Sequence, residues 1–253
     1  MAMVWRKIKD AAIRAGIDDA LRPLVDRLRG RKPDQDDAAA FALIAGLRSD
    51  AVCVDVGCHK GKFLDPMRRA ARDGRFYAFE PIPYLFDLLK SKYRGDERVR
   101  LFNCALSSAE GTATFFVNER DMGLSGLSAR PDRMGADHVT EVTAKLVTLD
   151  GVVGERKIDF IKIDVEGAEL EVLRGGARTI ARSRPIILFE FGLGGAEYFG
   201  ADADAMFGWF AAIGYRLYRV ADHVEGREPL DAGTFRECYA KNTEYNFVAA
   251  PAR

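Results

Sequence analysis

Residues 51–61 read AVCVDVGCHKG, and this stretch decides the fold. A short apolar run that ends in a glycine-containing turn is typical of a strand buried on both faces of a parallel sheet. Gly57 and Gly61 would let the backbone turn sharply and approach a ligand closely. A helix predicted at residues 60–72 would then offer free N–H groups and a partial positive charge to that ligand.

The alternation of strand and helix continues towards the C-terminus. Strands are predicted at residues 51–56, 75–80, 99–103, 158–164, 186–191, 215–220 and 245–249, and helices at 60–72, 84–93, 168–181 and 204–213. Strands that alternate with helices indicate the α/β class. We therefore expect a doubly wound, mostly parallel, Rossmann-like sheet with helices on both faces.

Two segments do not follow this alternation of strands and helices. Residues 1–46 carry apolar residues at helical spacing, which predicts an N-terminal helical arm before the main domain at 47–253. This basic arm could be a solvated packing helix, a contact with an anionic surface or the interface of a homodimer. Residues 118–145 are rich in Gly, Ser, Asp and Arg and are predicted to be an inserted loop. Such a loop is either a lid over the substrate or merely mobile.

The composition argues against several classes of protein. Charged residues make up 30% of the chain and balance to a net charge of 0, which disfavours nucleic-acid binding through overall basicity. The four cysteines form no CxxC pair and have no histidine at zinc-finger spacing, a pattern typical of reduced intracellular proteins. The sequence shows no signal peptide or transmembrane segment, so a cytoplasmic protein is expected.

Acidic residues at the predicted strand ends are candidates for ligand binding. Asp55 would repel a pyrophosphate but suits the ammonium and sulfonium groups of S-adenosylmethionine. Glu80 ends the second predicted strand, where a carboxylate can accept hydrogen bonds from a ribose diol. The GxxxG spacing lacks the third glycine of a dinucleotide fingerprint, which also disfavours NAD. His59 could contact the methionine carboxylate, the acceptor or only the backbone.

The most specific stretch is residues 158–169, IDFIKIDVEGAE. Strand periodicity places Lys162 and Asp164 on one face, and a buried lysine there would need a partner. Asp164 falls at the carboxyl end of its strand, where doubly wound sheets bind ligands. Glu190 in the next strand could share a proton with Asp164, bind a divalent ion, orient a hydroxyl or pair with a basic side chain. Glu166 is either a site residue or an ordinary acid of a first helical turn.

Five motifs together resemble the FkbM family of methyltransferases over roughly residues 50–192. They are VDVGCHKG at 54–61, FEP at 79–81, NCALS at 103–107, TLD at 148–150 and IKIDVEGAE at 161–169. The resemblance implies a seven-stranded sheet with a reversed final strand and bound S-adenosylmethionine. It also implies O-methylation of a hydroxyl on a sugar, glycolipid or polyketide-type small molecule.

The resemblance implies roles for individual residues. Predicted contacts of the cofactor are Asp55, Gly57, Cys58, His59, Gly61, Phe63, Glu80, Pro81, Cys104, Ala105 and Asp164. In this set Glu80 would bind the ribose, Cys104 and Ala105 would flank the adenine, and Asp164 would face the methyl group. The predicted catalytic residues are Asp164, Glu190 and Glu166.

Three questions stay open at the level of sequence. Some small-molecule O-methyltransferases bind magnesium through a strand-tip acid and an acidic pair after the next strand, but here Glu190 is followed by Phe191. A metal ligand set is therefore not assigned. An NAD-dependent oxidoreductase on a similar sheet and a non-catalytic module that binds S-adenosylmethionine are the alternative functions. The acceptor, a small molecule or a saccharide, is not identified.

Overall fold

The computed structural model describes residues 35–119, 122–129 and 138–252, together with residue 11. The helices are α1 (Gln35–Ala45), α2 (Leu64–Ala70), α3 (Pro83–Lys92), α4 (Leu149–Val153), α5 (Glu169–Gly175), α6 (Ala177–Ser183), α7 (Ala203–Ala212), α8 (Val220–Val224) and α9 (Ala232–Lys241). The strands are β1 (Val52–Val56), β2 (Arg75–Phe79), β3 (Val99–Phe102), β4 (Ala105–Leu106), β5 (Gly111–Asn118), β6 (Val139–Val147), β7 (Phe160–Ile163), β8 (Ile186–Glu190), β9 (Tyr215–Arg219) and β10 (Asn246–Pro251).

Seven of these strands form one sheet in the order β3-β2-β1-β7-β8-β10-β9. Strands β3, β2, β1, β7 and β8 pair in parallel, whereas β10 runs antiparallel to both β8 and β9. The strand order switches direction between β1 and β7, and doubly wound sheets bind ligands at the carboxyl ends of such a pair. The predicted fold, including the seven strands and the reversed final strand, is confirmed.

Buried side chains alternate between the two faces of the central strands. Val54 and Ile161 join the hydrophobic core on one face, while Cys53 and Phe160 join the core on the other. Every residue of β7 is buried. A strand covered on both faces needs apolar residues at successive positions, which explains the uninterrupted apolar runs of the sequence.

Helix boundaries differ from the prediction at two glycine-containing sites. The expected helix at 60–72 begins only at Leu64, because Gly61 has a φ of +83° and its N–H donates to the Cys58 carbonyl at 2.8 Å in a tight turn. The expected helix at 168–181 is two helices, α5 and α6, which meet at Gly175 and Gly176. Glycine has low helix propensity, so a break at two consecutive glycines is favoured.

The prediction of a loop throughout residues 118–145 is wrong for residues 139–145. Strand β6 (Val139–Val147) pairs antiparallel with β5 along its length and parallel with β4, which gives a second, three-stranded sheet. The β-branched residues of β6 carry the strand signal that the polar composition obscured. The described part of the connection, residues 122–129, returns to β5 through a bridge between Phe116 and Gly126. Its role as a lid stays a prediction.

The predicted N-terminal arm is described only in part. Helix α1 packs against α2 and α8, with Asp37 in an ion pair with Lys62 at 2.5 Å and Phe41 against the ring of Phe63. The other residues of the arm lie outside the described part except residue 11, which is helical. A dimer interface on the arm therefore stays a prediction. Among the described helices, none has the length and hydropathy needed to cross a membrane.

Candidate functional site

A cavity of about 340 Å³ opens at the carboxyl ends of β1, β2 and β7. Its walls come from segments that are distant in sequence, namely residues 56–59, 62–63, 79–82, 104–106, 122–125 and 164–166, with Phe115, Leu127 and Glu190. All but two of the predicted site residues are among them. The exceptions are Asp55 and Gly61, which are not among the described residues that line the cavity.

The turn after β1 is shaped by contacts within the protein. A Cβ atom at Gly57 would lie 1.9 Å from the carbonyl oxygen of Asp164, and the φ of Gly57 is +74°. At Gly61 a Cβ atom would lie 2.1 Å from the hydroxyl oxygen of Tyr93. The N–H groups of Gly57 and Cys58 both donate to the Phe79 carbonyl, at 3.0 and 3.1 Å. Gly57 therefore lets the tips of β1 and β7 approach each other, and Gly61 lets the turn pack against Tyr93. Contact of these glycines with a cofactor stays a prediction.

A buried polar network, which the sequence analysis missed, supports the outer side of this turn. Asp65 in α2 accepts from the Tyr93 hydroxyl at 2.8 Å and from the Lys92 ammonium at 2.5 Å. The same ammonium donates to the Lys60 carbonyl at 3.1 Å. The turn, α2 and the C-terminal end of α3 contribute these groups, so no local sequence pattern predicts the network.

Asp55 lies beneath the turn, where it is 2% exposed. It is the register partner of Lys162 on β7, and its carboxylate accepts a hydrogen bond from the backbone of Leu64 at the start of α2. Its Oδ2 atom has no hydrogen-bond partner among the described residues. Burial raises the pKa of Asp55 to about 7, although the charge of Lys162 acts in the opposite direction. Asp55 thus supports the turn from below, and a direct contact with a cofactor stays a prediction.

Glu80 follows β2 and is held rigidly at the cavity wall, although it is only 3% exposed. Its two carboxylate oxygens accept from the backbone N–H groups of His59 and Ile82, both at 2.9 Å. Each oxygen keeps a second lone pair for a ligand. Burial raises the pKa of Glu80 to about 7 in spite of these hydrogen bonds. A fixed carboxylate with spare acceptor capacity is suited to a vicinal diol.

Three carboxylates meet on the other side of the cavity, and we call Asp164, Glu166 and Glu190 the acid cluster. One oxygen of each lies within 4.8 Å of one oxygen of the others. The negative charge of Asp164, followed by burial, raises the pKa of Glu190 to about 8. The acid cluster therefore holds a proton near neutral pH. The predicted proximity of Asp164 and Glu190 is confirmed, while their catalytic roles stay predictions.

Glycines set the position of Glu166. This residue has a φ of +58°, and Gly167 after it has a φ of +114°. A Cβ atom on Gly167 would lie 2.3 Å from the backbone carbon of Gly195, in the loop after β8. The turn after β7 and the loop after β8 are thus in backbone contact. Non-glycine residues rarely adopt positive φ, and such strain is concentrated at functional sites.

A buried lysine lies next to the acid cluster. The ammonium of Lys162 is 0% exposed and lies 3.6 Å from Oδ2 of Asp164. Three carboxylates at this spacing are a donor set that a divalent ion also uses. Here a buried ammonium behind them supplies positive charge and would repel a second cation. The ammonium therefore already neutralises part of the charge of the acid cluster, and a magnesium site, which the sequence had left open, stays unassigned.

The buried acids predict an unusual dependence of stability on pH. Burial raises the pKa values of Asp55, Glu80 and Glu169 to about 7 in the folded protein, above their ordinary values. The folded state thus binds more protons than the unfolded state between about pH 4 and about pH 7, so stability is lost as the pH rises through this window. We expect the Tm to be about 5 °C or more lower at about pH 8 than at about pH 5.5.

Differential scanning calorimetry of the ligand-free protein checks this expectation, with Glu169→Gln as the comparison. Glu169 is 2% exposed and accepts from the N–H of Gly167 at 3.0 Å, which a glutamine oxygen can still do. The variant should therefore show a smaller change of Tm over the same range. A Tm that rises with pH in the wild type would contradict the prediction. Asp96, whose pKa Arg98 holds well below its usual range, affects only more acidic solutions.

Known proteins resemble this chain in both sequence and structure. A family model described as the methyltransferase FkbM domain matches residues 55–217. Methyltransferase sdnD of Sordaria araneosa is 31% identical over 164 residues, which cover 52% of this chain and 62% of sdnD. The 2-O-methyltransferase NoeI of Sinorhizobium fredii is 26% identical over 195 residues, which cover 72% of this chain and 79% of NoeI.

Among solved structures, the methyltransferase FkbM from Methylobacillus flagellatus superposes with a TM-score of 0.51 at 14% identity. The match covers 80% of this chain and 44% of that chain. At this identity the likeness shows the fold alone. The chain thus spans less than two thirds of the length of sdnD and less than half of the crystallised protein.

Proposed function

Because this chain belongs to the FkbM family of methyltransferases, we propose that it transfers the methyl group of S-adenosylmethionine to a hydroxyl oxygen of a sugar, glycolipid or polyketide-type acceptor. Transfer of methyl groups follows from the family; the cofactor, the accepting atom and the acceptor class are the proposal. The observation that carries it is the convergence of Glu80 and Asp164 on one cavity from opposite sides. The oxidoreductase and the non-catalytic module are not favoured, since the family model and the relatives are methyltransferases.

The charge of the cavity supports S-adenosylmethionine as the cofactor. Four carboxyl groups line it, and Lys62 is the one lysine or arginine among the described lining residues. An acidic cavity attracts a ligand that carries a sulfonium and an ammonium group. Glu80 would hold the ribose through the free lone pairs of its fixed carboxylate, and Cys104 and Ala105 would flank the adenine.

The acid cluster provides the base that an alcohol acceptor needs. When bound, S-adenosylmethionine supplies a methyl group that its cationic sulfur has already activated. Asp164 would accept the hydroxyl proton, so that the oxygen's electron pair could form the O–C bond as the S–C bond breaks and S-adenosylhomocysteine leaves. A positioned base contributes about 10²–10⁴-fold, and alignment of the acceptor contributes roughly 7–11 kcal/mol. Glu190, whose raised pKa keeps it partly protonated near neutral pH, can donate a hydrogen bond that orients the acceptor.

Oxygen as the accepting atom has independent support. NoeI is named a 2-O-methyltransferase, although it is only 26% identical to this chain. Neighbouring carboxylates also form suitable hydrogen-bond acceptors for the several hydroxyl groups of a sugar or polyol.

Calorimetry and a labelled-methyl assay test the proposal. We expect S-adenosylhomocysteine to bind and NAD not to bind, and label to enter an ether that survives mild base. Glu80→Gln should weaken S-adenosylhomocysteine binding by about 10–100-fold, since it removes the charge from a hydrogen-bonding carboxylate. Glu228→Gln, at an exposed acid outside the cavity, is the matched control and should bind normally. Binding of NAD without S-adenosylhomocysteine, or base-labile label, would refute the proposal.

A further inference from the structure

Lys162 is a fully buried lysine at the centre of the sheet. It lies on β7 between Asp55 of β1 and Leu188 of β8, which are its register partners. Its ammonium donates to the Ile163 carbonyl at 3.2 Å. A buried ammonium is costly unless charge partners surround it. The contacts of Lys162 therefore indicate what its charge does.

Negative groups and an aromatic ring surround the ammonium. Oδ2 of Asp164 is 3.6 Å away, and the centroid of the Phe63 ring is 4.9 Å away. The acids that interact with Lys162 or with its partners come from β1, α2, α5, β8 and the turns after β2 and β7, and they are Asp55, Asp65, Glu80, Asp164, Glu166, Glu169 and Glu190. Lys162 itself is not among the described residues that line the cavity. It can act on an acceptor only through the acids in front of it.

We propose that Lys162 is a positioning residue for methyl transfer: its ammonium holds the Asp164 carboxylate at the cavity wall and supplies the cation that the acid cluster requires, so that turnover needs no divalent metal ion. This inference rests on the proposed function. Without the ammonium, three carboxylates within 4.8 Å of one another would repel each other, and protonation or displacement of Asp164 would relieve the repulsion. Either response removes the base from the place where an acceptor hydroxyl needs it.

Lys162 is also the register partner of Asp55, which lies beneath the turn after β1. Asp55 bonds the start of α2, and the charge of Lys162 lowers its pKa against the effect of burial. The same charge lowers the pKa of Glu190. One ammonium thus balances acids on β1 and β8 as well as on its own strand. A lysine with a purely structural role would affect stability without changing how the acid cluster titrates.

Lys162→Met tests the charge, because methionine keeps an unbranched chain against Phe63 and removes the ammonium. We expect binding of S-adenosylhomocysteine close to that of the wild type and a kcat about 10²-fold lower. The acidic limb of the kcat–pH profile should move to higher pH, since the ammonium no longer lowers the pKa values of its partners. Lys162→Gln, which retains an N–H donor for the Ile163 carbonyl, repeats the test if the methionine variant does not fold.

The control variant is Ile161→Val, at a buried position of the same strand that faces the opposite core. It should lower the Tm and leave the pH profile of kcat unchanged. For the wild type, EDTA should leave turnover unchanged, and added Mg²⁺ should not restore Lys162→Met.

Two results would overturn the inference. One is wild-type kcat and an unmoved pH profile in a folded Lys162→Met or Lys162→Gln enzyme. The other is wild-type activity that EDTA abolishes and Mg²⁺ restores. Absence of any methyl transfer by the wild type, in contrast, would refute the proposed function itself.

Discussion

Asp164→Asn should reduce kcat by about 10²–10⁴-fold while S-adenosylhomocysteine binds nearly as it does to the wild type. Asparagine has the same shape but cannot accept the acceptor's proton. The side chain of Asp164 is 31% exposed, so the substitution creates no buried unpaired group. The backbone N–H of residue 164 will still donate to the Val56 carbonyl, at 3.0 Å in the wild type, which keeps β1 and β7 together.

The control for this variant lies at the other end of the same strand. Asp159 precedes β7 and accepts from the N–H of Val52 at 3.0 Å, far from the cavity. Asp159→Asn should therefore lower stability and leave kcat unchanged. Steady-state kinetics with calorimetry of S-adenosylhomocysteine separates the two effects. Full turnover by Asp164→Asn, with normal cofactor binding, would exclude Asp164 as the base.

Gly57→Ala should destabilise the protein by about 3 kcal/mol or more and greatly weaken S-adenosylhomocysteine binding. Its φ of +74° is unfavourable for alanine, and the new methyl group would lie 1.9 Å from the carbonyl oxygen of Asp164. The obstacle is backbone, so only separation of the tips of β1 and β7 relieves it. That separation would also move the Cys58 N–H and the Asp164 carboxylate at the cavity wall.

Gly95 offers a matched control for backbone strain. Its φ is +83°, and a Cβ atom there would meet nothing within 4 Å. Gly95→Ala should thus cost only the roughly 1–2 kcal/mol of a left-handed conformation and leave ligand binding intact. Urea unfolding of both variants measures the difference. Equal losses of stability at the two sites would show that the contact with Asp164 is not what requires a glycine at position 57.

Local sequence patterns were sufficient to predict the buried strands and the edge of the sheet where the cavity lies. Unalternating apolar runs at β1 and β7 predicted buried parallel strands, and the acids at their ends predicted the side of the sheet where the cavity lies. Glu80, Asp164 and Glu190 follow this logic, and the structure brings all three to the cavity. Their location was predicted from their positions at the carboxyl ends of predicted strands, where doubly wound sheets bind ligands.

The features that the sequence did not predict depend on contacts between segments that are distant in the chain. Periodicity placed Lys162 and Asp164 on one face but could not show that Asp55 is the register partner of the lysine. The sequence therefore did not predict that Asp55 lies beneath the turn, and its contact with a cofactor stays a prediction. Strand β6 was missed because its partner β5 is separated from it by a polar connection, and pairing of this kind has no local signature. The sequence also did not predict the close approach of Gly57 to the backbone of Asp164, which follows β7.

The contact between Gly167 and Gly195 limits which substitutions the cavity can accommodate. Because neither glycine has a side chain, the turn that carries Glu166 can lie in backbone contact with the loop after Glu190. A bulkier residue at either position would push the two segments apart and change the geometry of the acid cluster and of the cavity wall. A substitution meant to change acceptor preference and keep the chemistry intact should therefore leave Gly167 and Gly195 unchanged.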